Sequence, residues 1–291
     1  MKIGIVTVTY NSASVLTDFL SSIKSQDYTN YCLYVVDNDS QDSTFSILKS
    51  SPLENKFLIK NDQNVGVAQA NNQAIELALN DNCDFVLLIN NDTLFEATLL
   101  TKLVDAYHKY GSSIIVPKMK FYDSNEIWYA GGFFNRKKAY LNYHVGQGQD
   151  DMGQFDEDAI VEYAPICCSL VHRSVFNDIG LMDEKYFVYW DDADFFFRIM
   201  KDERHEVRYV HDFSFYHKIG SLTKSRVGKS ENWYGRFFIE QMTKNHVYFL
   251  RKQGSLFFYL QIIYLWFYVT LRFFVSKNFE KKIHVLMKSR L

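Results

Sequence analysis

The stretch Phe85-Val86-Leu87-Leu88-Ile89-Asn90-Asn91-Asp92-Thr93 decides the fold. Five consecutive apolar residues without a charge read as a strand buried on both faces. The run ends abruptly on two amides and a carboxylate. Open parallel sheets bind ligands just beyond the carboxyl ends of their strands. Asp92 therefore stands where a strand emerges into a cleft. A carboxylate there can hold a hard cation, and the cation a diphosphate. The same residues also suit a helix cap, with Asn91 or Asp92 capping a helix that starts near Glu96.

Upstream, short strands and helices alternate. Ile3 to Thr9 is β-branched and apolar and reads as a buried first strand. Ser12 or Ser14 can cap the next helix, in which Val15, Phe19, Leu20 and Ile23 recur at helical spacing. Cys32 to Val36 is a second strand, and Asp37-Asn38-Asp39-Ser40 follows it. A helix begins near Phe45, a short strand covers Lys56 to Lys60, and Asn64-Val65-Gly66 opens a helix that runs to about Leu79. This alternation predicts an α/β fold with a Rossmann-like, mostly parallel sheet flanked by helices. Right-handed crossovers bring the strand ends to one edge, so Thr9, Asp37 and Asp92 are expected to converge. Asp37 suits a base N–H or a ribose hydroxyl there, and equally a turn. Asn64 with Gly66 suits a helix start or a close backbone approach to a nucleotide.

The bulk composition narrows the function. At 291 residues the chain holds one large domain or two small ones. A net charge of −2 gives no footprint for nucleic acid. Cys32, Cys83, Cys167 and Cys168 form neither a Cys-x-x-Cys pair nor a disulfide pattern, which fits a reducing cytoplasm. The N-terminus does not read as a signal peptide. Neither a Gly-x-Gly-x-x-Gly fingerprint nor a Gly-x-x-x-x-Gly-Lys loop is present. A diphosphate would therefore be managed by a metal at Asp92 instead of a glycine cradle.

Four motifs occur in order: Val-Thr-Tyr-Asn at 8–11, Val-Asp-Asn-Asp-Ser at 36–40, Asn-Val-Gly at 64–66 and Asn-Asn-Asp-Thr at 90–93. Together they resemble the inverting GT-A glycosyltransferases of family 2, within their rhamnosyl- and galactofuranosyl-transferase-like members. The resemblance implies a nucleotide-sugar fold whose donor is a dTDP- or UDP-sugar. It implies that Thr9, Tyr10, Asn11, Asp37, Asn38, Asn64, Gly66, Asn71 and Asn91 line the nucleotide. It implies a divalent cation, manganese or magnesium, at Asp92. The family's metal motif is usually Asp-x-Asp, whereas here its first position is Asn90, a weaker ligand.

The second half adds an acidic cluster. Leu99, Leu103, Val104 and Tyr107 continue a helix, and Ile114 to Pro117 reads as a strand. Residues 122–162 read as an irregular insertion with short strands. The resemblance makes Trp128, Gly131 and Gly132 candidates for the sugar or acceptor pocket, and a surface hairpin is the plainer reading. Ala164 to Val171 reads as a strand. In Tyr189-Trp190-Asp191-Asp192-Ala193-Asp194 three acids fall within four positions. If Asp191 caps a helix, Asp194 and Arg198 form an i,i+4 pair, and Asp192 is left to face the cleft as a general base. An acidic helix start has the same pattern. The resemblance also puts Asp192 at the base position, with Trp190 and Asp191 beside the acceptor.

Tyr209 to His217 alternates like one strand, which would turn His211 and His217 to one face. The resemblance implies a metal-binding histidine here, and His217 matches it better. The following loop to Lys229 carries Lys224, Arg226 and Lys229, able to close over a diphosphate or to stay solvated.

Gly254 to Leu271 is uncharged and aromatic, at the transmembrane threshold of roughly 18 residues. Its internal tyrosines and Trp266, bracketed by basic residues, suit an interfacial helix. A buried helix or a homodimer interface is the alternative. The expected division is 1–235 as the transferase domain, with a nucleotide-binding half (1–118) and an acceptor half (119–235), and 236–291 as a helical tail. The expected setting is the inner face of the cell membrane, with a glycan or lipid-linked glycan as acceptor. Two rivals stand beside this. A nucleotidyltransferase would need a basic glycine-rich loop, and residues 7–14 hold none. A non-catalytic nucleotide-sugar-binding subunit has Asn90 as its support.

Overall fold

The computed structural model describes residues 1–213, 215–218, 231–253, 260–264 and 267, leaving aside the side chains of 231–236 and 239. The first half alternates as its sequence predicts: β1 (Ile3–Thr9), α1 (Ala13–Lys24), β2 (Tyr31–Asp37), α2 (Thr44–Ser50), β3 (Lys56–Lys60), α3 (Val67–Asn80) and β4 (Phe85–Ile89). Next come β5 (Thr93–Phe95), α4 (Leu99–Tyr110), β6 (Ile114–Pro117), β7 (Met119–Phe121), β8 (Ile127–Tyr129), β9 (Gly132–Asn135) and β10 (Leu141–His144). The remainder is β11 (Ala159–Val161), β12 (Cys168–His172), α5 (Arg173–Ile179), α6 (Asp191–Asp202), β13 (Val207–Val210), β14 (Phe215–His217) and α7 (Glu231–Lys252).

Eight strands form one mixed, mostly parallel sheet in the order β11-β13-β6-β12-β4-β1-β2-β3. The uncharged β4 lies inside it and all five of its residues are buried, as a strand covered on both faces must be. The chain runs outward from β1 through β2 to β3 and then returns to place β4 on the other side of β1. That reversal makes a crevice between the ends of β1 and β4. Asn91 spans it, its amide donating to the Val8 carbonyl at 2.5 Å.

A second sheet, β5-β14-β7-β8, adjoins this crevice. It explains several departures from the sequence reading. The chain after Asp92 continues as β5 before α4 begins at Leu99, so neither Asn91 nor Asp92 caps that helix. Tyr209 to His217 is two strands in different sheets, so shared parity does not put His211 and His217 on one face. The strand expected at 164–171 is confined to Cys168–His172. Asp191 is the first residue of α6, whose N-cap is Trp190 in the left-handed region.

The described part of the C-terminal region packs on the rest of the protein. Phe249 and Leu250 are fully buried, and Asn245 and His246 are 2% exposed. The loop 221–229 with its three cations, and most of the uncharged run 254–271, lie outside the described residues.

Candidate active site

The expected nucleotide edge is a closed network of polar groups. Asp37 ends β2 and is fully buried. Its carboxylate accepts from the Thr9 hydroxyl at 3.0 Å and from the Ser40 hydroxyl and amide at 2.5 and 3.2 Å. Asn38 accepts from Val65 N–H and Asn61, and donates to Asn64 and to the Gly66 carbonyl. Asn71 donates to the Val67 carbonyl within α3. Asn11 accepts from Gln41 N–H at 2.7 Å, and its own N–H donates to the Ser40 hydroxyl. Tyr10 lies half-buried beside it. Ser12 occupies the N-cap position of α1 without a side-chain cap, and Asp42 accepts from Ala13 N–H in its place. These residues shape the loops by bonding one another. Ser40, Asp42 and Thr44 zip the first two loops together, and of the three only Ser40 lies in the turn motif read from the sequence. Turn-forming Asp-Asn-Asp-Ser chemistry was the available signal.

Gly66 has a specific reason to be glycine. Its φ is +90°, and an added Cβ would lie 2.6 Å from the carbonyl oxygen of Phe187. Val67 N–H donates to that same oxygen at 2.7 Å. The glycine therefore lets the acidic turn before α6 dock on the start of α3.

β5 and β14 bring the proposed metal ligands together. Their antiparallel register sets Thr93 opposite His217, and Lys218 N–H donates to the Asp92 carbonyl at 2.8 Å. His217 Nε2 lies 3.2 Å from Asp92 Oδ1. Trp128 packs edge-to-face on the His217 ring at 4.4 Å, so it supports the imidazole. His217 Nδ1 is buried without a hydrogen-bond partner among the described residues. Neighbouring ligands of an octahedral ion stand about 3 Å apart when each bond is about 2.1 Å. The Asp92–His217 pair fits that spacing. Among the described residues no group of three His, Cys, Asp or Glu side chains forms a cage. Two protein ligands suit an ion that completes its shell with diphosphate oxygens and water.

Across the crevice lies the acidic turn. Tyr189 and Trp190 both have positive φ, 66° and 71°, a conformation that costs non-glycine residues energy and gathers at functional sites. Asn245 on α7 holds the turn by donating to the Val188 and Tyr189 carbonyls at 2.9 and 3.0 Å. Asp194 is fully buried and pairs with Arg198 at 3.0 Å as its spacing predicts, and also with Lys252 at 2.8 Å. Asp191 is 4% exposed. Burial, then the neighbouring Asp192 carboxylate, pushes its carboxyl up to about 8. Burial also raises Asp192, against hydrogen bonds from the Tyr163 hydroxyl and the Ala193 N–H, each 2.7 Å.

A cleft of ≈ 380 Å³ beside the acidic turn is lined by Val67, Asn90, Tyr163, Asp191 and Asp192 among others; Asp37, Asn38, Asn64, Asp92 and His217 are not among its lining residues. It lies in the range for small-ligand sites. Trp128, Gly131 and Gly132 are not among its lining residues. Gly132 instead presses on Tyr163, whose carbonyl an added Cβ would meet at 2.6 Å, and Gly131 packs on Val161. Trp190 borders the cleft but is 3% exposed, its indole stacked on His246 at 4.1 Å. A second cleft of equal volume, beside Lys109, Asp158 and His211, holds none of the acids discussed above as candidates. Tyr163 and Asn245 escaped the sequence reading. The adjacent polar pair Asn245-His246 in an aromatic helix was a signal; Tyr163 had none.

A switch-point crevice with a carboxylate–imidazole pair on one side and paired acids on the other is the plan of an α/β transferase acting on a nucleotide-linked group. Residues 4–180 match glycosyl transferase family 2, and the chain belongs to that family. Relatives are distant. The chain is 27% identical over 232 residues to a PGL/p-HBAD biosynthesis glycosyltransferase of Mycobacterium tuberculosis, covering 78% of this chain and 80% of that one. It is 28% identical over 141 residues to UDP-Glc:alpha-D-GlcNAc-diphosphoundecaprenol beta-1,3-glucosyltransferase WfgD of Escherichia coli, spanning 48% of this chain and about half (53%) of that enzyme. The fold is shared with S. aureus TarS 1-349 crystallised with UDP-GlcNAc, at TM-score 0.56 and 20% identity over 86% of this chain and 66% of that one.

Proposed function

We propose that this protein transfers a hexose from a nucleoside-diphosphate sugar to a hydroxyl of a glycan or lipid-linked glycan, with inversion at the anomeric carbon. The observation that carries the reading is that Asp192 lines the same cleft as Asn90, which stands two residues before Asp92 and its His217 partner in the chain. Asp192 accepts the proton of the acceptor hydroxyl. The oxygen attacks the anomeric carbon from the face opposite the diphosphate. The carbon–oxygen bond to phosphate breaks, and the diphosphate leaves with its electron pair. Burial suits Asp192 to this work, since a raised carboxyl is a better base near neutral pH. Asp92 and His217 would hold a manganese or magnesium ion, which supplies charge neutralisation at the diphosphate.

The donor is a UDP- or dTDP-sugar. WfgD is named for UDP-glucose and TarS was crystallised with UDP-GlcNAc, while the motif resemblance adds rhamnose- and galactofuranose-type donors. The acceptor side suits a lipid-linked substrate at a membrane surface. Leu260, Ile263 and Phe267 are 63%, 63% and 62% exposed. Among the described residues no helix is long and apolar enough to cross a membrane.

The test is nucleotide release from a panel of these donors with undecaprenyl-diphosphate glycans as acceptors. Asp192→Asn is expected to lower transfer at least ~100-fold. Transfer at the wild-type rate by Asp192→Asn overturns the proposal.

A further inference from the structure

The geometry points to Tyr163 as a positioning residue that fixes the Asp192 carboxylate in the cleft and keeps it ready to accept a proton. The Tyr163 hydroxyl is the side-chain donor to Asp192, at 2.7 Å from Oδ2, while Ala193 N–H holds Oδ1. With one bond to each oxygen the carboxylate is fixed in rotation.

The donor itself is held from every side. Tyr163 N–H donates to the Gly132 carbonyl at 3.0 Å, and the Tyr129 hydroxyl donates to the Tyr163 carbonyl at 2.8 Å. Its ring is boxed by Phe134, Phe196 and His144, at centroid distances of 5.6, 6.0 and 5.8 Å. Gly132, which has no room for a Cβ against Tyr163, acts at one remove. Burial keeps the Tyr163 phenol protonated well beyond its usual range, so it remains a donor at working pH.

The charged surroundings make this donor matter. Asp191 and Asp194 share the helix with Asp192, and Asp194 is neutralised by Arg198 and Lys252. His144 beside Tyr163 and His246 behind Trp190 are both pushed down to about 4 by burial, so neither brings a positive charge near neutral pH. Asp192 forms no ion pair among the described residues. A hydrogen bond to the charged form is then what opposes the pull of burial toward the neutral acid.

The functional meaning rests on Asp192 being the base, but the contact is measurable without activity. In full-length protein carrying Asp191→Asn, which leaves one titrating member of the pair, the γ-carbon NMR signal of labelled aspartates is followed against pH, and Asp192→Asn assigns the signal. Tyr163→Phe is expected to raise the Asp192 midpoint by about one pH unit. Placing 3-fluorotyrosine at position 163, a stronger donor of the same shape, is expected to lower it, and this variant decides the matter if Tyr163→Phe does not fold. An unmoved midpoint overturns the inference. A moved midpoint together with an active Asp192→Asn enzyme would keep the contact and remove only the base reading.

Discussion

The two sides of the cleft are built in opposite ways. On the side of β1, β2 and α3, polar side chains are buried and satisfied by one another: Asp37 by Thr9 and Ser40, Asn38 by Asn61, Asn64 and the chain around Gly66. On the side of α6, a buried and a half-buried carboxyl, Asp191 and Asp192, stand next to each other with few donors, after a turn that holds Tyr189 and Trp190 at positive φ. The first arrangement is low in energy and gives a fixed shape. The second is costly and is held from outside, by Asn245 and Lys252 on α7 and by the docking of Phe187 on Gly66. The contrast sets a fixed face against a restrained, costly one.

The contrast breaks most severely at Asp194. Its carboxylate is fully buried between Arg198 and Lys252. Asp194→Ala leaves Arg198 without its carboxylate, while Lys252 keeps Asp183, and is expected to cost about 3 kcal/mol in urea unfolding. Next comes the contact between the two sides. Gly66→Ala puts a Cβ against the Phe187 backbone at positive φ, and should destabilise by about 3 kcal/mol.

The stored cost of the paired acids acts with the opposite sign. The Asp191 carboxyl is raised to about 8 from 3.8, so the folded state binds more protons than the unfolded one between those values. Stability should therefore fall as pH rises from about 4 to 8. Asp191→Asn should flatten that slope and raise stability at pH 8 relative to wild type, read from unfolding midpoints across pH.

How much was legible follows the same division. The uncharged run 85–89, the β-branched 3–9 and the alternation after them are local signals, and the sheet obeys them. The Asp194–Arg198 pair is also local, four residues apart on one helix. The meeting of Asp92 with His217 depends on β14 leaving the main sheet to pair with β5, and side-chain parity along 209–217 cannot register a change of sheet. For Asp37 the sequence allows either a contact to a base N–H or ribose hydroxyl or a turn-forming acid. Its burial depends on Ser40 folding back on it, a three-residue contact that turn chemistry allowed without requiring. Tyr163 and Asn245 act over 29 and 56–57 residues of sequence, beyond any periodicity.

The central claim is that one cleft has a donor-holding side and a separate proton-accepting side. Calorimetric titration of UDP in manganese buffer into wild type, Asp92→Ala and Asp192→Asn tests it most directly. The expected result is a Kd weakened about tenfold or more in Asp92→Ala, as for loss of a metal ligand, and unchanged within about twofold in Asp192→Asn. Tight UDP binding by Asp92→Ala, or its loss in a folded Asp192→Asn, would contradict the account.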